Sequence, residues 1–172
     1  MHDRPIVLTG FMGSGKSSVG RVLADALGWP LIDLDAEIVA GAGRSINDIF
    51  ASEGEAGFRA LESACLERVL QSGQSVIACG GGVVIADSNR RLMRRQGFVV
   101  NLKASLAVVV GRLAGVTDRP LYAGQDAVDR VQALMEAREQ FYTDADIRID
   151  TDNKSVEDVA AEILAVFKGL SA

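Results

Sequence analysis

The chain has 172 residues, 48% of them hydrophobic and 24% charged, the balance of a globular domain large enough to bury its own core. A net charge of −5 disfavours nucleic acid as a partner, and no apolar run reaches the length of a membrane span. The one histidine, His2, stands at the N-terminal end, which removes His-based triads and His-ligated zinc. Residues 1–5 lead straight into an apolar run, so the expectation is a cytoplasmic protein with no signal peptide and with Cys65 and Cys79 as reduced core residues.

Strands and helices then alternate along the chain. Residues 5–9 form a nearly continuous apolar strand of the kind a parallel sheet buries on both faces. The pattern G-x-x-x-x-G-K-[ST] follows at residues 10–17, and Val19, Val22, Leu23, Ala26 and Leu27 recur at helical spacing until Gly28. Residues 29–33 predict a second buried strand, ending in Asp33-Leu34-Asp35. A helical turn at 36–40 breaks at Gly41-Ala42-Gly43, and Ser45 with Asp48 has the spacing of a capping pair. Glu53-Gly54-Glu55 reads as a turn before a longer helix over about 56–71. A third buried strand at 75–79 ends on Gly80-Gly81-Gly82. A helix follows from residues 87–89 to Gly97, with a basic outer face of Arg90, Arg91, Arg94 and Arg95. Residues 98–102 form a fourth strand, and Ser105 caps the helix after it. Residues 115–127 lack apolar periodicity and read as a mobile loop, the core of a lid over about 113–126. A helix to Tyr142, an alternating edge strand at 146–150 and a helix from Ser155 to near 169 complete the chain. This alternation predicts one α/β domain over residues 1–172, a five-stranded parallel sheet between two helical layers, with ligands beyond the carboxyl ends of the strands.

The glycine-rich loop sits between strand and helix, where phosphate binding needs it. Its backbone N–H groups and the helix N-terminus favour an anion, so Gly13, Ser14, Gly15, Lys16, Ser17 and Ser18 are the candidate nucleotide-phosphate ligands. Lys16 can reach the β and γ phosphates and the Ser17 hydroxyl can ligate Mg²⁺. Asp33 and Asp35 lie two apart, which along a strand puts both carboxylates on one face. One can hold Mg²⁺ and the other can take a proton from a substrate hydroxyl; alternatively they form an acidic turn in which Asp35 caps the next helix. Gly80-Gly81-Gly82 is either a tight turn or a backbone surface that lets a small ligand approach closely. Arg59 and Glu62 are three apart on a helix, as in a solvated ion pair, and Arg138 between Glu136 and Glu139 has the setting of an exposed helical arginine. Those surface roles are the default from spacing alone, with ligand binding as the alternative for either arginine. Arg112 and Arg119 flank the lid, where a phosphoryl-transfer enzyme needs positive charge over its reaction centre.

Taken together, these residues resemble the shikimate kinases. The ordered set is G-F-M-G-S-G-K-S at residues 10–17, D-x-D at 33–35, F-R-x-x-E at 58–62, G-G-G at 80–82, R-P-L at 119–121, and Arg138 with Tyr142 four residues on. The resemblance covers about residues 6–150; Gln140 departs from the proline common at that position. It implies a P-loop kinase fold like that of nucleoside monophosphate kinases, and ATP-dependent phosphorylation of the 3-hydroxyl of shikimate in aromatic amino acid biosynthesis. Carried over residue by residue, it implies shikimate binding by Asp35, Arg59, Gly80, Gly81, Gly82 and Arg138, with a substrate-binding helical segment at about 34–62. It further implies Mg²⁺ support from Ser17 and Asp33, a catalytic set of Lys16, Asp35 and Arg119, and Arg112 near adenine. ATP and shikimate are the expected partners of what is expected to be a monomer. A gluconate or nucleoside monophosphate kinase on the same scaffold, or a regulatory nucleotide-binding module, are the competing readings.

Overall fold

The computed structural model describes residues 3–114 and 126–170. The elements are β1 (Ile6–Thr9), α1 (Lys16–Leu27), β2 (Leu31–Asp33), α2 (Leu34–Ala42), α3 (Ile46–Leu70), β3 (Val76–Ala78), α4 (Asp87–Gln96), β4 (Phe98–Lys103), α5 (Leu106–Leu113), α6 (Ala127–Tyr142), β5 (Ile147–Asp150) and α7 (Val156–Gly169). A single 3₁₀ turn, Val83–Ile85, follows the glycine triplet.

The strands form one sheet in the order β2-β3-β1-β4-β5, and every pairing is parallel. Alternation within strands divides the core in two. Ile6, Leu8, Val76, Val100 and Ile149 pack with Val19, Leu23, Val159 and Ile163 of α1 and α7 on one face. Val7, Ile77 and Val99 pack on the other face with residues of α2, α3, α4, α5 and α6, among them Leu34, Phe58, Met93, Val109 and Val131. Each such fully buried aliphatic side chain contributes roughly 1.5–3 kcal/mol.

The alternating layers and the parallel sheet match the expectation, but two local readings need correction. The strand at 29–33 is not fully buried: β2 is an outer strand, and its three residues are half-buried to exposed. Its apolar character serves packing against α1, where Gly20 is so close that an added Cβ would lie 2.9 Å from Leu31. The turn expected at 53–55 is present: Gly54 (φ 69°, ψ −173°) is non-helical, a backbone conformation confined in practice to glycine, and kinks α3 there. Gly41 does not itself stop its helix; α2 runs on to Ala42 and closes on Gly43 in the left-handed conformation. The capping expectations at Ser45, Ser105 and Ser155 are met: each hydroxyl accepts from the backbone N–H three residues on, and Ser155 with Asp158 forms a reciprocal capping box.

Most of the expected lid, including Arg119, lies outside the described residues. Among the described residues no helix is long and apolar enough to cross a membrane.

Candidate active site

The loop between β1 and α1 is shaped by three glycines with positive φ: Gly10 (149°), Gly13 (77°) and Gly15 (94°). At Gly10 sterics add to the backbone demand, because a Cβ there would lie 2.5 Å from the Leu102 carbonyl oxygen. Gly15 is the N-cap of α1 and offers no side chain to cap it, so the first-turn N–H groups face outward. Lys16 arches back across the loop, its Nζ donating to the carbonyls of Gly10 (2.7 Å) and Phe11 (3.0 Å). Arg112, in the last turn of α5, donates to the Gly13 carbonyl at 2.6 Å and so borders the outer rim of the loop. Ser17 and Ser18 are exposed at the helix start, whereas Ser14 is buried beneath it.

The two aspartates do not share a strand face. β2 ends at Asp33, whose carboxylate caps α2 by accepting from Ala36 N at 3.1 Å. Asp35 lies within the first turn of that helix, so the two-residue periodicity of a strand does not govern it. The helix brings Asp35 to the far side of the cleft, against Gly80: a Cβ on Gly80 would lie 2.9 Å from Asp35 Oδ1 and 3.2 Å from Glu62 Oε2.

Each glycine of the triplet faces a different charged side chain. A Cβ on Gly81 would stand 3.6 Å from the Arg138 guanidinium and 3.4 Å from Met12 N of the phosphate loop. One on Gly82 would stand 2.6 Å from Cζ of Arg59. The triplet is thus the turn about which Asp35, Glu62, Arg138 and Arg59 assemble, and it brings them opposite the phosphate loop. Met12, Gly13, Gly15, Lys16, Ser17 and Ser18 line one side of the resulting cleft, whose volume is about 300 Å³. Asp33, Asp35 and the turn from Ala78 to Gly81 line the other side.

Glu62 is not the solvated ion-pair partner that its spacing suggests. It is 1% exposed and accepts from Arg59 Nη1 at 2.8 Å. Burial raises its pKa above the ordinary value; the hydrogen bond and charge of Arg59 oppose that rise, nearby Asp35 adds to it, and Arg138 opposes it. Arg59 also lies 3.5 Å from the exposed Glu55 and over the Phe58 ring. Arg138 is half-buried, 5.8 Å from the Phe11 ring centroid, and forms no salt bridge among the described residues. Cys79 is wholly buried at the cleft wall, and burial pushes its thiol far up, so it stays protonated.

The structure therefore brings together the phosphate-loop residues, Arg112, Asp33, Asp35, Arg59, Gly80, Gly81, Gly82 and Arg138. The sequence did not reveal two features. One is the burial of Glu62, whose i,i+3 spacing from Arg59 was visible but whose inward direction was not. The other is Tyr142, whose hydroxyl donates to the Gly81 carbonyl at 2.5 Å. Its place one helical turn after Arg138 was the only available signal. One expected exposed arginine moves inward: Arg90 donates to the Val84 carbonyl at 2.6 Å and stacks over Phe141.

Comparison with known proteins identifies the family. The family model described as shikimate kinase matches residues 12–168. A shikimate kinase of Geobacter metallireducens is 53% identical over 96% of this chain and 93% of its own length. Another, of Symbiobacterium thermophilum, is 47% identical over 92% of this chain and 93% of its own. The structure of a shikimate kinase from Acinetobacter baumannii in complex with shikimate superposes with a TM-score of 0.91 at 33% identity, covering 96% of this chain and 93% of that one. A match that runs from the phosphate loop into α7, on a chain whose cleft is built as described, places this protein in the shikimate kinase family.

Proposed function

We propose that this chain moves the γ-phosphoryl group of ATP onto the 3-hydroxyl of shikimate in the cytoplasm, as a monomer, with the roles divided between the two sides of the cleft. Family membership carries the reaction: the shikimate kinases use ATP as co-substrate. The observation that carries the residue roles is the convergence of Asp35, Arg59 and Arg138 on one glycine turn, facing the phosphate loop.

The phosphate loop holds the donor. Its outward N–H groups and Lys16 neutralise phosphate charge, and in-line transfer depends mainly on such positioning and electrostatics. Arg112 stands beside the adenine. Arg119, from the lid, supplies positive charge to the group in flight and completes a closed site. The other side holds the acceptor. Arg59 and Arg138 give fork-shaped donors to a carboxylate, and Glu62 keeps Arg59 in place. Asp35 accepts the hydrogen bond of the attacking hydroxyl and takes its proton as the O–P bond forms.

Mg²⁺ fits the groups present. Ser17 and Asp33 both line the cleft beside Lys16 and both are exposed. Among the described residues no cluster of three or more His, Cys, Asp or Glu could cage a metal alone. Two oxygen donors with room for water and phosphate suit Mg²⁺, which keeps several waters and shares phosphate oxygens. When bound, the ion would neutralise charge on the phosphates.

The test is ADP release with purified protein, ATP and Mg²⁺, comparing shikimate, gluconate and AMP as acceptors. Release that depends on shikimate alone is the expected result. Release driven equally by gluconate or AMP would overturn the assignment of the acceptor wall.

A further inference from the structure

We propose that Tyr142 is a positioning residue for the acceptor side of the cleft: its buried hydroxyl fixes the Gly81 carbonyl and, with it, the register between the glycine turn and Arg138. This rests on the reading of Arg138 as a carboxylate ligand given above.

The three glycine carbonyls are held in different ways. Gly80 and Gly82 accept within the turn itself, from Val83 N at 3.2 Å and Ile85 N at 3.1 Å. Those two bonds fix the shape of the 3₁₀ turn but tie it to nothing else. The Gly81 carbonyl accepts from Tyr142 of α6 at 2.5 Å. That bond joins the turn to the element that carries Arg138. Tyr142 is 4% exposed while Gly81 is half-buried at the cleft wall, so losing the donor would free the Gly81 carbonyl from α6.

Arg138 and Tyr142 are four residues apart, so they lie one above the other on the same face of α6. The guanidinium flanks Gly81 on its Cα side, and the phenol meets its carbonyl. Sliding or rolling of α6 relative to the turn would move both contacts together. Beside the phenol, Arg90 of α4 bridges the 3₁₀ turn to the end of α6, donating to Val84 O and stacking over Phe141. Arg90 resists separation of the elements through Val84, Ile85 and Phe141, whereas the phenol bonds Gly81 itself, the residue that Arg138 flanks, so the phenol sets the register.

The deciding variant is Tyr142→Phe, which keeps the packing ring and removes only the donor. The KM for shikimate is expected to rise by about three- to tenfold, the range one neutral hydrogen bond covers, while kcat and the KM for ATP stay within about twofold. Tyr142→Phe combined with Arg138→Lys is expected to cost less than the product of the two single effects, because both act on one contact. An unchanged KM for shikimate, equal rises in both KM values, or strict additivity in the double variant would each overturn the positioning role. Melting temperature and ATP KM verify the fold of every variant. Arg138→Ala separates the two claims. If it raises the shikimate KM while Tyr142→Phe does not, the positioning role falls alone. If Arg138→Ala leaves that KM unchanged, the carboxylate reading falls first and takes the positioning role with it.

Discussion

Gly82→Ala offers a clean perturbation of the acceptor wall. The backbone at Gly82 has φ −98° and ψ 1°, which alanine adopts readily, so the added methyl carries little conformational strain. Its whole effect falls on Arg59. Ordinary Cβ contact begins at 3.4 Å, and the new carbon would lie 2.6 Å from Cζ, a shortfall of about 0.8 Å. A free arginine would swing away at little cost. Arg59 is not free, since Nη1 is bonded to Glu62, which is 1% exposed and has no route to follow. The guanidinium must either leave that carboxylate, exposing a buried charge to isolation, or retreat along with a displaced helix. A misplacement near 1 Å in a positioning group costs roughly a hundredfold in efficiency. The expected outcome is a fall of that order in kcat/KM for shikimate, with the KM for ATP within about twofold, because the nearest phosphate-loop contact runs through Gly81 rather than Gly82. The assay is coupled ADP release with each substrate varied in turn, alongside thermal melting. An unchanged shikimate kcat/KM with an intact fold would refute the claim that Arg59 has nowhere to go.

Lys16→Ala is expected to lower turnover by more than about a hundredfold without unfolding the protein, as steady-state kinetics and a melting curve would report together. Glu62→Gln should remove a pH dependence. A buried carboxyl with a raised folded pKa holds its proton longer than the unfolded chain does, so native stability falls as pH rises through the interval above the usual glutamate value. Melting temperatures of the native chain should therefore drop relative to Glu62→Gln across that interval; parallel curves would contradict the burial argument. Ser155→Ala should cost about 1 kcal/mol, or roughly 2–4 °C, through loss of the α7 cap. Asp158 adds a second signature, because bonds from Ser155 hold its pKa below the ordinary value. That contribution is present above the usual carboxylate pKa and is lost as pH falls through the lowered one, so the gap between native and variant should narrow in acid.

The phosphate loop was legible because its demands are local. Gly10, Gly13 and Gly15 are needed for backbone reasons, and the flanking apolar run and helical spacing fix their context. The helix caps at Ser45, Ser105 and Ser155 were legible for the same reason. Long-range facts were not. Sequence order does not give strand order, so Leu31 and Ile32 read as buried although they sit half-buried on an outer strand, kept apolar by α1. Asp33 and Asp35 both line the cleft as expected, but by a different route: the strand ends at Asp33, and the first turn of α2 places Asp35. Arg90 and Glu62 carry charges that a helical wheel assigns to solvent, yet each has a carbonyl or guanidinium waiting in another part of the fold. For Arg59 and Arg138, local spacing suited a surface ion pair as well as a ligand, and only the resemblance to a family favoured the second. The lid residues from 115 to 125, with Arg119, stay an expectation.

The glycine triplet also bears on how this protein can change over generations. The donor loop takes its backbone shape from its own glycines, with Leu102 and Arg112 touching it from elsewhere in the fold. The acceptor groups come from α2, α3 and α6, and all press on three consecutive residues that have no side chains to yield. A larger residue at Gly80 collides with Asp35 and one at Gly82 with Arg59, so a substitution at either site disturbs its facing charge, whereas a methyl at Gly81 would meet Met12 N and Arg138 only at ordinary contact distance. Drift toward another acceptor would require a glycine and its facing charge to change together. The nucleotide side can vary piecemeal, but the acceptor side is inherited as a block.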